Sequence, residues 1–340
     1  MAKPAAQWLF LAAAIAGAAV LLGGAVVISL QRNGQAQDGP TSRRDEAWMR
    51  SIAFNGPRSY ELLEQVCAIG PRPSGSEGMR RQQELLTKHF EELGGRVSLQ
   101  PMRVRHPENG SAVEMNNLIV EWHPDRTERI LLCAHYDTRP FPDRDKRNPR
   151  GTFIGANDGA SGVAVLGELG RHMKDLPGKY GVDFVLFDGE EFVFDDERDS
   201  ELYFIGSTHF AKLYAGEPPA HRYRWGVLLD MVGDAELQVY QEINSRRWPE
   251  TRPLVDELWR VAREEGIREF IPRGRYELRD DHVPLRNIGG IPTCDIIDFD
   301  YPRPGADSYW HTEGDTADKC SPRSLANVAH VVLTWLKQAK

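Results

Sequence analysis

Between residues 78 and 338 the chain alternates helical and strand-like hydrophobic patterns. Met79, Leu86, Phe90 and Leu93 fall near one helical face of the segment Gly78 to Leu93, and Gly94-Gly95 supplies the stop that a helix C-terminus uses. Strand-like runs follow at Val97 to Val104, Asn117 to Trp122 and Ile130 to Ala134, before a long polar loop from Tyr136 to Thr152. Gly162 to Met173 reads as a helix, Val182 to Phe187 as a buried strand, Glu201 to Tyr214 as a helix and Gly226 to Met231 as a second buried strand. A strand near Thr293 to Phe299 and a closing helix from Ser321 to Lys337 end the pattern. Strands alternating with helices predict a three-layer αβα sandwich around a mixed, largely parallel central sheet.

The N-terminal pattern is different. Trp8 to Leu30 is an uninterrupted apolar or small-residue run, long enough to cross a hydrocarbon core of about 30 Å at about 1.5 Å per residue. A cleaved signal usually has an apolar region of only about 7–15 residues. The expected organisation is therefore a short tail (1–7), a transmembrane anchor or uncleaved signal (8–30), a polar tether (31–47) and a catalytic domain (48–340). The domain is expected to be exported and held at the membrane by residues 8–30, or else secreted after signal cleavage.

The formal net charge of −8 argues against nucleic acid as a partner, since phosphate binding leaves a basic footprint. Cys67, Cys133, Cys294 and Cys320 match neither a metal-binding spacing nor a dense disulfide framework. Cys133 and Cys294 fall inside apolar runs and read as buried free thiols.

Candidate chemistry gathers where apolar runs end. Asp188-Gly189-Glu190-Glu191 follows a buried strand, and two adjacent carboxylates delivered to one point call for a compensating cation or proton. His135-Tyr136-Asp137, Gly155-Ala156-Asn157-Asp158, Leu229-Asp230 and Trp310-His311-Thr312 also lie just past apolar runs. In open α/β sheets ligands bind beyond the carboxyl ends of the strands. Taken singly, Asp158 reads as a helix N-cap, His311 is equally unremarkable, and Glu190-Glu191 could be a solvated loop. In series at strand ends they read as one metal site, with Asp158, Glu191 and His311 able to supply the three protein ligands of an open zinc centre.

These segments, together with Gly70-Pro71-Arg72-Pro73-Ser74-Gly75-Ser76 and Asp281-His282-Val283-Pro284, resemble the zinc aminopeptidases of family twenty-eight and their offshoot, the glutaminyl-peptide cyclotransferases. The resemblance covers about Ser59 to the C-terminus. It implies metal ligation by Asp158, Glu191 and His311, an acid/base role for Glu190 with Asp281 near it, and second-metal ligands at His135 and Asp230. Asp137 would orient the His135 ring. Cyclotransferases work with one zinc and the aminopeptidases with two.

The segments Asp199 to Tyr203, Gly206-Ser207, Asn244 to Trp248 and Asp280 to Pro284 resemble the cyclotransferase branch, whereas Gly159-Ala160-Ser161-Gly162 resembles the aminopeptidases. Trp310 beside His311 favours cyclisation: an indole can pack on a glutamine side chain and exclude water. Here the α-amine of an N-terminal glutamine attacks its side-chain amide, Glu190 moves the proton and Asp230 binds the amine. The alternative is a two-zinc aminopeptidase, and a third reading is a non-catalytic anchored ectodomain. Both enzymes take free peptide or protein N-termini as substrate.

Overall fold

A computed structural model of the chain describes residues 43–195 and 198–339. The apolar run 8–30 lies outside the described residues, and no helix among them is long and apolar enough to cross a membrane.

Helices α1 (Arg43–Ser51), α2 (Gly56–Ala68) and α3 (Glu77–Glu92) lead into strands β1 (Arg96–Arg105), β2 (Ala112–Trp122) and β3 (Glu128–His135). Then come α4 (Ala160–Met173), β4 (Gly181–Phe187), α5 (Ile205–Gly216), β5 (Arg222–Asp230), β6 (Val239–Gln241), α6 (Ile243–Arg247) and α7 (Arg252–Glu264). The last are β7 (Phe270–Gly274), α8 (His282–Asn287), β8 (Thr293–Ile297) and α9 (Pro322–Gln338).

Six strands form one sheet in the order β1-β2-β4-β3-β5-β8. Its β4-β3-β5-β8 portion is parallel, while β1 and β2 join antiparallel at one edge. The strands central to this order read as continuous apolar runs because both faces are covered: every residue of β4 is buried. One face packs beneath α2, α3, α4 and α9, through Leu62, Phe90, Leu166 and Leu333 among others. The other carries a smaller apolar cluster in which Phe210 and Leu285 meet Phe187 and Leu228. This is the predicted three-layer sandwich with a mixed, largely parallel sheet.

Two boundaries move. α1 begins at Arg43, inside the segment expected to be tether, and Trp48 meets His330 of α9 edge-on at 6.0 Å between ring centroids. The helix expected at 201–214 begins instead at Ile205, because Phe204 takes a left-handed backbone (φ 59°) that no α-helix continues through. All four cysteines are free, with Cys133, Cys294 and Cys320 buried.

Candidate active site

The parallel strands deliver the chemistry to one end of the sheet. β3 closes on His135 and β5 on Asp230. Past the end of β4, Gly189 turns the chain with φ 74°, and a Cβ there would come within 2.9 Å of Met115 Sδ. The turn parts the paired carboxylates. Glu191 is buried with its Oε1 2.9 Å from His311 Nε2, whereas Glu190 keeps 13% of its side chain exposed. Asp188 does not join them; it accepts from Ser74 Oγ (2.6 Å) and the Asn116 N–H (2.9 Å).

Asp158 is shared by two donor sets. His135, Asp158 and Asp230 offer one set, and Asp158, Glu191 and His311 the other, the donor atoms within each lying within 4.8 Å of one another. His135 Nε2 stands 3.2 Å from both Asp158 Oδ1 and Asp230 Oδ1, and His311 Nε2 stands 3.5 Å from Asp158 Oδ2. The expectation that Asp158 could merely cap α4 fails, since the N-cap is Gly159 and no side chain caps it.

The electrostatics call for a cation. Both His135 ring nitrogens, Asp158 Oδ2 and Asp230 Oδ1 are buried without a hydrogen-bond partner, and such atoms are costly unless something satisfies them. Burial, with the charge of Glu191, pushes the Asp158 carboxyl well above its ordinary range. Burial would raise Glu191 too, but His311 and Arg139 hold it at about 2. His135 is raised because Asp137, Asp158 and Asp230 outweigh its burial, whereas burial keeps His311 low. Buried carboxylates outnumbering imidazoles, with imidazole nitrogen and carboxylate oxygen as the donors, fit zinc. Asp158, Glu191 and His311 could hold one ion, and His135 and Asp230 a second with Asp158 between.

A further layer fixes these donors. Behind each histidine stands a carboxylate: Asp137 Oδ1 is 3.6 Å from His135 Nδ1, and Asp143 Oδ1 is 3.6 Å from His311 Nδ1. The Arg139 N–H donates to Glu191 Oε2 at 2.9 Å. Asp315 accepts from the N–H groups of Asn157 (2.8 Å) and Asp158 (3.1 Å). Buried Arg72, from the 70–76 motif, donates to the carbonyls of Ile154 (2.8 Å) and Gly155 (3.2 Å) just upstream. Gly159 (φ 93°) leaves room for the His135 ring, which a Cβ would meet at 3.1 Å. Met231 (φ 46°) and His311 (φ 55°) hold left-handed backbones, costing about 1–3 kcal/mol each and clustering, as such strain does, at a functional site.

The donors open onto a cavity of about 340 Å³ whose walls include Tyr203, Phe204, Phe299 and Trp310. The Trp310 centroid lies 4.1 Å from that of His311 and 4.9 Å from that of Phe299. The Arg144 guanidinium lies 4.0 Å from the Trp310 ring, so one indole face is already engaged. Glu190, Asp230 and Asp280 also line the cavity. Asp281, expected near Glu190, is fully buried, bound by Ser207 Oγ and not among the cavity-lining residues, whereas its neighbour Asp280 lines the cavity. Tyr203, Phe204 and Phe299 gave no signal in the sequence beyond being aromatic, and Asp143 and Asp315 none beyond being acidic.

Peptidase family M28 matches residues 117–336, and the chain belongs to this family. It is 41% identical to Fimbriiglobus ruber glutaminyl cyclase, with a TM-score of 0.78 over 85% of this chain and 97% of that one. A Zn-dependent exopeptidase from Parabacteroides distasonis is 30% identical, with a TM-score of 0.75 over 84% of this chain and 98% of that one. The glutaminyl-peptide cyclotransferase-like protein of Mus musculus is 24% identical over 289 residues, 78% of this chain and 72% of the relative. Family and neighbours alike imply zinc.

Proposed function

We propose that this chain is a zinc-dependent glutaminyl-peptide cyclotransferase that converts an N-terminal glutamine to pyroglutamate. The observation that carries this reading is the aromatic wall beside the donors, formed by Trp310 against His311 and Phe299. A glutamine side chain held flat on such a wall loses its water. Ring closure needs that dryness, because water competes with the amine for the same carbonyl. The likeness to the Fimbriiglobus ruber glutaminyl cyclase supports it.

Bound at Asp158, Glu191 and His311, zinc supplies polarisation of a carbonyl oxygen. The chain's own groups do the rest. Asp230 and Asp280 face the α-ammonium from the cavity wall. The ammonium gives one proton to solvent, and the free amine attacks the side-chain carbonyl carbon while Glu190 takes a second proton from the same nitrogen. The new N–C bond closes the ring, the carbon to amide-nitrogen bond breaks, and Glu190 gives that second proton to the departing nitrogen, which leaves as ammonia while the ring nitrogen keeps one hydrogen. Burial, which raises the Glu190 carboxyl well above its ordinary range, suits a group that must hold this proton between the two transfers.

A second reading, an aminopeptidase with two zinc ions, is favoured by one observation: the His135, Asp158 and Asp230 donors are all in place. One experiment separates the two. A glutamine-initiated peptide given to the purified protein should release ammonia and keep all its residues, and a leucine-initiated peptide should stay intact. Shortening of either peptide by one residue would transfer the chain to the aminopeptidase reading.

A further inference from the structure

Beside the active-site cavity lies a second one of about 330 Å³, lined by Ile243, Arg246, Arg247, Arg252 and Gly274. The two are neighbours across a single ion pair. Arg247 Nη1 of the second stands 3.3 Å from Oε1 of Glu277, which lines the first. Hydrogen bonds fix the wall between them: Ile243 N–H to the Tyr276 carbonyl (2.9 Å), Leu278 N–H to Glu242 Oε1 (3.1 Å) and Asn244 Nδ2 to the Leu278 carbonyl (3.1 Å).

Three arginines around one cavity stand out on a chain of net charge −8. They are neutralised only in part. Arg247 has Glu277, Arg252 has Asp256 at 3.7 Å on its own helix, and among the described residues Arg246 has no carboxylate partner. A Cβ at position 274 would lie 2.8 Å from Arg246 Nη1, so glycine there leaves the guanidinium its place. Arg279 on the wall of the active-site cavity continues the basic rim inward. The floor of that cavity carries the opposite sign in Asp158, Glu190, Glu191, Asp230 and Asp280.

From this arrangement we infer that the Arg246–Arg247–Arg252 cavity is a subsite for a carboxylate carried a few residues behind the substrate's N-terminus. The preferred substrates are then peptides with Asp or Glu close to the terminal residue. Their ammonium is drawn to the acidic floor and their carboxylate to the arginines, so the chain enters N-terminus first. Guanidinium groups match a carboxylate geometrically. The inference rests on the reading that the active-site cavity takes free peptide N-termini.

The test uses C-terminally amidated, glutamine-initiated peptides that differ only in carrying Glu, Ala or Lys at the second, third or fourth position, with the full chain. The Glu peptide should be turned over with kcat/KM about three- to tenfold above the Ala peptide, mainly through KM, as expected of partly exposed charge pairs. About 0.5 M salt should erase the difference. Arg246→Gln/Arg252→Gln should erase it too, leaving the Ala peptide within about twofold. An Ala peptide with a free C-terminus that gains as much would identify the bound carboxylate as the terminal one, whereas a gain confined to the Glu peptides identifies it as a side chain. Equal turnover of Glu and Lys peptides overturns the subsite and leaves ring closure standing. Equilibrium binding to the Glu190→Gln chain reads the same preference without chemistry. If no glutamine peptide cyclises yet the Glu peptide binds more tightly than the Lys peptide, the subsite holds and the cyclotransferase reading falls; equal binding overturns the subsite.

Discussion

The Asp137 carboxylate stands 3.6 Å from His135 Nδ1 and at the same time accepts the backbone N–H groups of Glu190 (3.1 Å) and Glu191 (3.0 Å). One buried side chain thus holds the imidazole of a candidate metal ligand and the acidic turn in common register. Asp137→Ala frees the ring and leaves two amide N–H groups without their acceptor, at about 1–3 kcal/mol for each that stays buried. It should lower metal affinity or turnover about 10–100-fold, as loss of such a supporting partner typically does. Metal content after dialysis and steady-state turnover check this; a variant that keeps both overturns the role.

Asp158, Glu191 and His311 bring their donor atoms within 4.8 Å of one another, and Asp158→Ala, Glu191→Ala and His311→Ala should each empty the zinc site. His135→Ala is the informative companion. If one ion suffices, the variant keeps about one zinc per chain, equal to the wild type; if two are bound, the wild type carries about two and the variant loses one. Metal analysis of the four purified variants decides both points, and full zinc in all of the first three sinks the assignment.

Much of this was legible in the sequence, because parallel strands covered on both faces read as continuous apolar runs and their polar ends mark where ligands bind. His135, Glu190, Glu191 and Asp230 stand at or just past such strand ends, and the long segments after β3 and β8 bring Asp158 and His311 to them. What was not legible depends on tertiary approach. Nothing local distinguishes Asp143, set behind His311, or Asp315, which pins the Asn157-Asp158 backbone, from any loop aspartate. Asp280 and Asp281 are adjacent acids, and only Ser207, from α5, reveals which of them is turned away from the cavity. α7 was missed although its buried Leu254, Val255, Leu258, Trp259 and Ala262 share one helical face; the signal was there, between a proline-rich turn and a glycine stop.

Glu190 faces the cavity while its neighbour Glu191 pairs with His311, so the first is free for proton transfer. Glu190→Gln removes the proton acceptor and preserves shape. The variant should fold, retain zinc and lose about 10²–10⁴-fold in kcat, the usual contribution of a general acid/base. Turnover within a few-fold of wild type would place the proton transfer elsewhere.

Asp298, just past β8, is buried and accepts the N–H groups of Gln238 (2.7 Å) and Asp300 (3.0 Å). Those bonds favour its charge, yet burial, with the nearby Asp234 and Asp300, pushes its carboxyl up to about 8 from the ordinary 3.8. Between these two values the folded chain binds a proton that the unfolded chain does not. Stability from this group is therefore fully present below about pH 4 and is lost as pH rises toward 8. Asp298→Asn keeps a carbonyl acceptor and cannot ionise. Its melting temperature should fall less than that of wild type between pH 5.5 and 8.5, by about 2 °C or more. Asp298 does not line the active-site cavity, so turnover at pH 6 should be little changed. Parallel melting curves for the two proteins would show that Asp298 is ordinarily ionised in the fold.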